Sequence, residues 1–382
     1  MVASLARIAH LSRTKDWRLT FIPFILGCVY LWLVWFRTPF SMEALVLFAL
    51  SLITAIGFAA LGYLINEYFD QKDDARAGKL NRMALAPIHV RIGLLIAATI
   101  MALLPWMWLP SNTYSWLLIA AELSCFALYS FPVLRLKNVP FIANSIDMAY
   151  AYTIPMLLSF HTYSLFHGQS WPKWLWPLVT CVSLIGLRGI IIHQVDDLFN
   201  DKRAGIRTLP LTIGPRLTSL LLACLMFAEI LSFLMFAFMF SWIMPWWAAS
   251  IVVSYAVYLA FLTQSKKGLL LAFLPLASQR HATDQFYQII FPMLMLVLVA
   301  FSNLWWAILI PVHIGVLVPL HVQQQIWHNA RNAANRLYYM GIRKPMNATV
   351  NYGIYYGFLI VGVNLKKENS SAAQYLKSRF QR

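Results

Sequence analysis

The sequence predicts an all-α integral membrane protein, and three observations lead there. Of its 382 residues, 60% are hydrophobic and only 12% charged, where a soluble domain carries about 25% charged residues. Apolar runs near the roughly 20 residues needed to cross a bilayer recur from one end of the chain to the other. Lysine and arginine are sorted by loop instead of being spread evenly. Backbone groups in lipid must find partners within their own segment, and the runs are too long for barrel strands, so the spans are helices.

In order, the spans read as 19–36, 44–66, 91–109, 114–132, 140–160, 174–193, 213–238, 243–263, 285–302 and 304–320. No cleavable signal peptide is expected. Arg7, Arg13, Lys15 and Arg18 precede the first span, and no small-residue cleavage site follows it. The net charge of +16 reports topology. With a cytoplasmic N-terminus, alternate loops hold Lys72, Arg76, Lys79, Arg82 and Arg91; Arg135 and Lys137; Lys202, Arg203, Arg207 and Arg216; and Lys266, Lys267 and Arg280. The opposite loops hold little beyond Arg37 and Lys173, a positive-inside pattern that suits a bacterial inner membrane. The basic balance then means contact with anionic lipid, and no nucleic-acid module is present. Cys28, Cys125, Cys181 and Cys224 all fall inside spans without metal-ligand spacing and read as small buried hydrophobes. A weaker apolar stretch at 350–364 and a basic amphipathic segment at 321–345 are expected to be re-entrant or interfacial, with a cytoplasmic C-terminus.

Seven of the fourteen acids crowd into two stretches, Glu67, Asp70, Asp73 and Asp74 after the second span and Asp196, Asp197 and Asp201 after the sixth. Both stretches fall on the predicted cytoplasmic side. Asn66, Asp70 and Asp74 stand at i, i+4 and i+8, on one helical face; Asp197 and Asp201 repeat the i, i+4 spacing. Like charges at that spacing destabilise a helix. Two carboxylates about 4 Å apart repel by about 4 kcal/mol at an effective dielectric near 20. One acidic run at a membrane boundary is an ordinary solvated loop. Two matched runs on the same side call for a positive filler. Mg²⁺ fits, because it takes oxygen ligands and shares them with substrate phosphates. Lys72, Arg82, Arg135, Lys137, Lys202 and Arg207 could neutralise a diphosphate held there. A diphosphate at the mouth of a lipid-embedded bundle suggests an isoprenyl diphosphate, its head at the acids and its tail among the helices.

At these positions the chain resembles the UbiA-type intramembrane prenyltransferase superfamily. The family's N-D-x-x-D-x-x-x-D motif stands here as Asn66-Glu67-x-x-Asp70-x-x-x-Asp74. Its D-x-x-x-D-x-x-A-G-x-x-T-L-P motif runs from Asp197 through Asp201, Ala204 and Gly205 to Thr208-Leu209-Pro210. "YSFPVLRLK", Tyr129 to Lys137, is similar to the loop of the branch containing the chlorophyll, homogentisate and archaeal-lipid enzymes. Glu67 stands for the usual Asp, Val133 for a proline, and the K-x-x-R-P-x-x-x-G stretch becomes Lys79-x-x-Arg82-Met83 with Pro87. These departures bear on the acceptor more than on the chemistry.

The resemblance implies a nine-helix prenyltransferase core over 1–302. Residues 303–382 form a C-terminal extension with one further transmembrane helix and an amphipathic or interfacial segment. It implies that Asn66, Asp70 and Asp74 hold one Mg²⁺ and that Asp197 and Asp201 hold another, with Glu67 and Asp196 auxiliary. Lys72, Arg82, Arg135 and Lys137 would grip the diphosphate, with Tyr129 donating a hydrogen bond. The implied activity is prenyl transfer to an electron-rich lipophilic acceptor, aromatic or hydroxyl, the proton going to a carboxylate or to the released diphosphate. A membrane terpene cyclase of the same superfamily would share the motifs and need no acceptor. A transporter is disfavoured, because its coupling acids would sit near the midplane and an internal repeat is not evident. Asn144, Asp147, Glu122, Arg188 and Glu229 inside spans read first as interhelical pairing, and His313 as packing.

Overall fold

The computed structural model describes residues 11–12, 14–264 and 286–317. Every expected span falls on a helical run. The basic residues 266, 267 and 280 and the segments 321–345 and 350–364 lie outside the described residues, as does the end of the tenth span. The elements are α1 (Thr14–Trp35), α2 (Met42–Phe69), α3 (Gln71–Ala77), α4 (Ile88–Leu103), α5 (Thr113–Ser130), α6 (Pro140–Met148), α7 (Ile154–Phe166), α8 (Leu175–Asp196), α9 (Leu198–Ala204), α10 (Leu209–Ser241), α11 (Pro245–Gln264), α12 (Phe291–Ser302) and α13 (Leu309–Leu317). Among the described residues no strand occurs. Four helices are, by length and composition, able to cross a membrane: Met42–Phe69, Ile88–Met107, Leu175–Asp196 and Leu209–Ser241. Others are interrupted. A π-helical turn, Ala149–Thr153, joins α6 to α7 just ahead of Pro155, and α10 bends at Gly214 (φ 80°) before Pro215.

Helix α1 is the axis of the bundle. From Phe21 to Val34 nearly every apolar side chain is buried, as a helix hydrophobic all round must be. It packs against α2, α7, α12 and the π-helical turn before α12. Without a hydrophobic drive between helices in lipid, close packing has to hold the bundle. Aromatic edges supply much of it: Trp32 meets Phe160 at 4.8 Å and Trp35 meets Trp174 at 4.7 Å between ring centroids. Several polar residues within spans find partners, across helices for Arg188, Gln194 and His313 and within one helical run for Asp147, whereas Glu122 Oε2 is buried with no hydrogen-bond partner among the described residues. Arg188 on α8 donates to Glu229 on α10 at 2.7 Å, both buried. Gln194 donates to Asn144, Tyr150 to Asp147, and His313 is hydrogen-bonded to Tyr30 at 3.1 Å.

Two backbones approach closely at Gly57, where α2 crosses α4: a Cβ there would run into the main chain of Met101 and Ala102. Gly57→Ala should cost about 1–3 kcal/mol of stability by overpacking. Thermal unfolding of the detergent-solubilised protein checks this, with Gly93→Ala, where a Cβ meets open space, as the neutral comparison.

Candidate functional site

Each long helix that ends in acids, α2 and α8, hands over to a seven-residue helix, α3 or α9. The two handovers are built alike. The N–H of Asp70 is bonded to the carbonyl of Asn66 at 2.9 Å, and that of Asp197 to His193 at 3.0 Å. Each short helix closes on a glycine in the left-handed conformation, Gly78 (φ 72°, ψ 20°) and Gly205 (φ 72°, ψ 19°), a conformation that only glycine adopts without strain. The likeness is also in the residues: Asp70-x-x-x-Asp74-x-Arg76-Ala77-Gly78 against Asp197-x-x-x-Asp201-x-Arg203-Ala204-Gly205. Helices α3 and α9 pack against each other, so both acidic faces open on one cavity of about 430 Å³.

Asn66, Glu67, Asp70, Asp74, Arg82, Tyr129, Lys137, Asp197 and Asp201 line that cavity. Arg135 lies beside it, its guanidinium on Asp70 and Asp73. Lys72 is exposed and faces away from the lining, as are Lys202 and Arg207. Asp196, the last residue of α8, is half-buried outside the lining. Residues to which the sequence reading gave no role in the site also line it: Asp73, Lys79, Gln194, Asn200 and Thr208. The Arg-Ala-Gly echo after each acid pair was the available signal for the matched geometry.

Charge decides how these groups are arranged. Six acids line the cavity (Glu67, Asp70, Asp73, Asp74, Asp197 and Asp201) against the three formal cations Lys79, Arg82 and Lys137. Lys137 pairs with Asp70, and Arg135 with Asp73. Arg135 reaches there because its backbone takes a left-handed turn (φ 36°, ψ 49°). That conformation is costly outside glycine and is typical of functional loops. Lys79, in the loop after α3, crosses the cavity to Asp197 at 2.8 Å. The carboxylate of Asp201 has no hydrogen-bond partner among the described residues; burial, and then the charge of Asp197, push it up to about 6. Asp197 moves the other way, because the opposing pull of His193 and Lys79 outweighs its burial. Burial also raises Asp70, in spite of Lys137.

Glu67 has a different position from the aspartates. Its Oε2 accepts the backbone N–H groups of Arg82 at 3.1 Å and Met83 at 3.4 Å. Asn81 completes the clamp: its amide donates to the carbonyl of Glu67 and to Asp74, both at 2.8 Å, while its Oδ1 accepts from Ala84 N–H at 2.9 Å. Together they fix the loop that carries Lys79 and Arg82 to the end of α2.

The donor set fits a divalent cation. Among the described residues, no three acidic, histidine or cysteine side chains form a ready-made cage; lysine and arginine hold the carboxylates instead. Yet Asn66 Oδ1, Gln194 Oε1 and Thr208 Oγ1 are buried without a hydrogen-bond partner among the described residues, and all three belong to residues of the cavity wall. Buried polar atoms without partners are rare and costly. An acceptor surplus of this kind, beside acids in excess, matches a hard cation with oxygen ligands.

A second, apolar cavity lies deeper among α1, α2 and α7, lined by Phe21, Val29, Ala55, Phe58, Leu158 and neighbours. Phe58 is twelve residues before Asp70 on α2, about 18 Å along the helix.

A family model described as the UbiA prenyltransferase family matches residues 20–273. Among solved structures, an Archaeoglobus fulgidus UbiA homologue bound to GPP and Mg²⁺ is similar with TM-score 0.54 at 16% identity, covering 77% of this chain and 99% of its own. The same organism's homologue bound to Cd²⁺ scores 0.51 at 16% identity, covering 77% and 99%. A structure from work on digeranylgeranylglyceryl phosphate synthase in membranes scores 0.50 at 16% identity, covering 78% and 98%. At such identities the likeness is one of fold. No curated protein matches the chain.

Asn81→Ala should free the loop over the site. Losing bonds worth about 1.4 kcal/mol is roughly a tenfold faster exchange of the Arg82, Met83 and Ala84 amides. Hydrogen–deuterium exchange, with the α8 amides as internal reference, measures it.

Proposed function

Since the chain belongs to the UbiA prenyltransferase family, we propose that it transfers a prenyl group from an isoprenyl diphosphate to an electron-rich aromatic or hydroxyl acceptor within the membrane. The observation that carries this reading is the meeting of two acidic helix ends in one cavity, with buried oxygen atoms lacking partners among the described residues and lysine and arginine side chains around it. The protein is a multi-pass membrane protein, and we assign the cavity to the cytoplasmic face of a bacterial inner membrane because the basic loops lie on its side.

In this proposal Asn66, Asp70, Asp74, Asp197 and Asp201 hold Mg²⁺. When bound, the metal supplies positive charge that offsets the negative charge gathering on the departing diphosphate. The remaining work falls to side chains. Lys79, Lys137 and Arg135, which now neutralise Asp197, Asp70 and Asp73, are within reach of the diphosphate oxygens once those acids have another cation. Arg82 joins them, and the Tyr129 hydroxyl is positioned to donate to the same group. Glu67 serves the loop rather than the metal, and Asp196 and Lys72 act from outside the cavity. The C1–O bond of the donor breaks with its electron pair leaving on the diphosphate, C1 bonds to the acceptor, and the acceptor's proton passes to a cavity carboxylate or to the released diphosphate. Tyr129, Tyr150 and Phe126, in edge contact at 5.6 and 5.2 Å, offer π density to the allylic cation. The tail would occupy the apolar cavity beneath. The homologue bound to GPP and Mg²⁺ supports the reading.

Purified protein given geranyl, farnesyl or geranylgeranyl diphosphate and candidate acceptors should release diphosphate with Mg²⁺ and not with EDTA. Asp70→Ala and Asp197→Ala should each lower turnover on the order of 10²–10³-fold. Mass spectrometry of the product separates transfer from cyclisation, which would yield a cyclic hydrocarbon or alcohol without an acceptor. Consumption that survives both EDTA and Asp197→Ala overturns the proposal.

A bulkier wall should shorten the tail accommodated. Ala55→Phe is expected to lower kcat/KM for the geranylgeranyl donor about tenfold more than for the geranyl donor, as a few displaced methylenes require. Parallel kinetics on the two donors test it.

A further inference from the structure

The end of the bundle opposite the acids holds another cleft, of about 560 Å³. It lies where three connections converge: the turn from α1 to α2, the turn from α10 to α11, and the junction after α12. The 28 residues of α2 put it about 42 Å from Asp70 along the helix. Arg37 is the charged residue of its lining, with Thr38, Trp246, Trp247, Ser302 and Asn303 among the others.

Arg37 has two unusual properties. It is one of only two non-glycine residues with positive φ (48°) among the described residues, the other being Arg135 at the acidic site. It is also exposed, with no ion pair or hydrogen bond from its guanidinium among the described residues. The turn that holds it is rigid. Thr38 is bonded through its hydroxyl to His167 at 2.9 Å, and its carbonyl accepts from the Trp306 indole at 3.2 Å. A strained cation on a fixed turn, facing a cleft, is therefore preorganised. Asn303, also in the lining, adds a donor: its Oδ1 accepts from the Trp305 N–H at 3.1 Å, which leaves its amide N–H₂ with no hydrogen-bond partner among the described residues.

We propose that this cleft binds the phosphate of an anionic phospholipid from the leaflet opposite the acidic site. Arg37 pairs with the phosphate, Asn303 donates to it, and Trp246 and Trp247 flank the glycerol. The surroundings point to lipid and not to a free anion. Trp242, Trp246, Phe301 and Trp305 are all more than 70% exposed around this end, a belt that marks the headgroup level of a bilayer. The cleft walls also include Val34, Ile243 and Met244, so an occupant with acyl chains continues into apolar surface. Apart from Lys173, this face offers no other basic residue in its loops, so an anionic headgroup there has Arg37 as its partner.

The test uses full-length protein in a neutral detergent, titrated separately with short-chain phosphatidylglycerol, short-chain phosphatidylcholine and inorganic phosphate, with thermal unfolding and native mass spectrometry as readouts. Phosphatidylglycerol should raise Tm saturably and be retained as a one-to-one adduct. Arg37→Gln should weaken that half-saturation about fivefold while prenyl diphosphate consumption stays at the wild-type rate. Arg37→Gly, which also relieves the left-handed strain, should raise the lipid-free Tm and lose the response. Equal effects of phosphatidylcholine, an Arg37-dependent effect of phosphate alone, or an unchanged phosphatidylglycerol response in both variants would each overturn the inference.

Discussion

A surplus of carboxylate oxygen, gathered where two helices leave the bundle, governs this molecule. Six acids around one cavity repel one another, and the surrounding chain is shaped to restrain them. Lys79 ties the first acidic segment to the second by its pair with Asp197. The loop after α5 takes an unfavourable backbone turn at Arg135 so that Arg135 and Lys137 reach Asp73 and Asp70. Asn81 and Glu67 hold the intervening loop by its backbone. In the proposed function, a site balanced by lysine and arginine side chains exchanges those partners for metal and diphosphate without rebuilding its backbone.

The same rule of compensated charge operates inside the bundle. Arg188 and Glu229 neutralise each other between α8 and α10, and Gln194 reaches from α8 to Asn144 on α6. Breaking such a buried pair leaves a charge with no solvent to receive it. These contacts leave the lipid-facing surface apolar while α1, sheathed in aromatic edges, keeps the interior dense. Among the described residues, space includes polar clefts at the two ends and an apolar cavity near α1.

Asp73 and Lys72 illustrate how differently neighbouring residues fare. They are adjacent in a short helix, yet Asp73 is buried against Arg135 and Lys72 is exposed. A seven-residue helix turns about 100° per residue, so the identity of its inward face depends on what packs against it, here α9.

Length, hydropathy and loop charge were enough to establish an all-helical membrane protein, because a bilayer imposes one period and one length on every segment that crosses it. The i, i+4 spacing of Asp70 with Asp74 and of Asp197 with Asp201 likewise put each pair on one face, since helical periodicity is local. The convergence of those faces on a common cavity depends on contacts between α3 and α9, which are 121 or more positions apart at their nearest ends. The use of Glu67 as a backbone clamp, the bond from Lys79 to Asp197 and the left-handed turn at Arg135 depend on the same kind of contact. Partnership between distant residues follows from three-dimensional packing, and no local pattern encodes it.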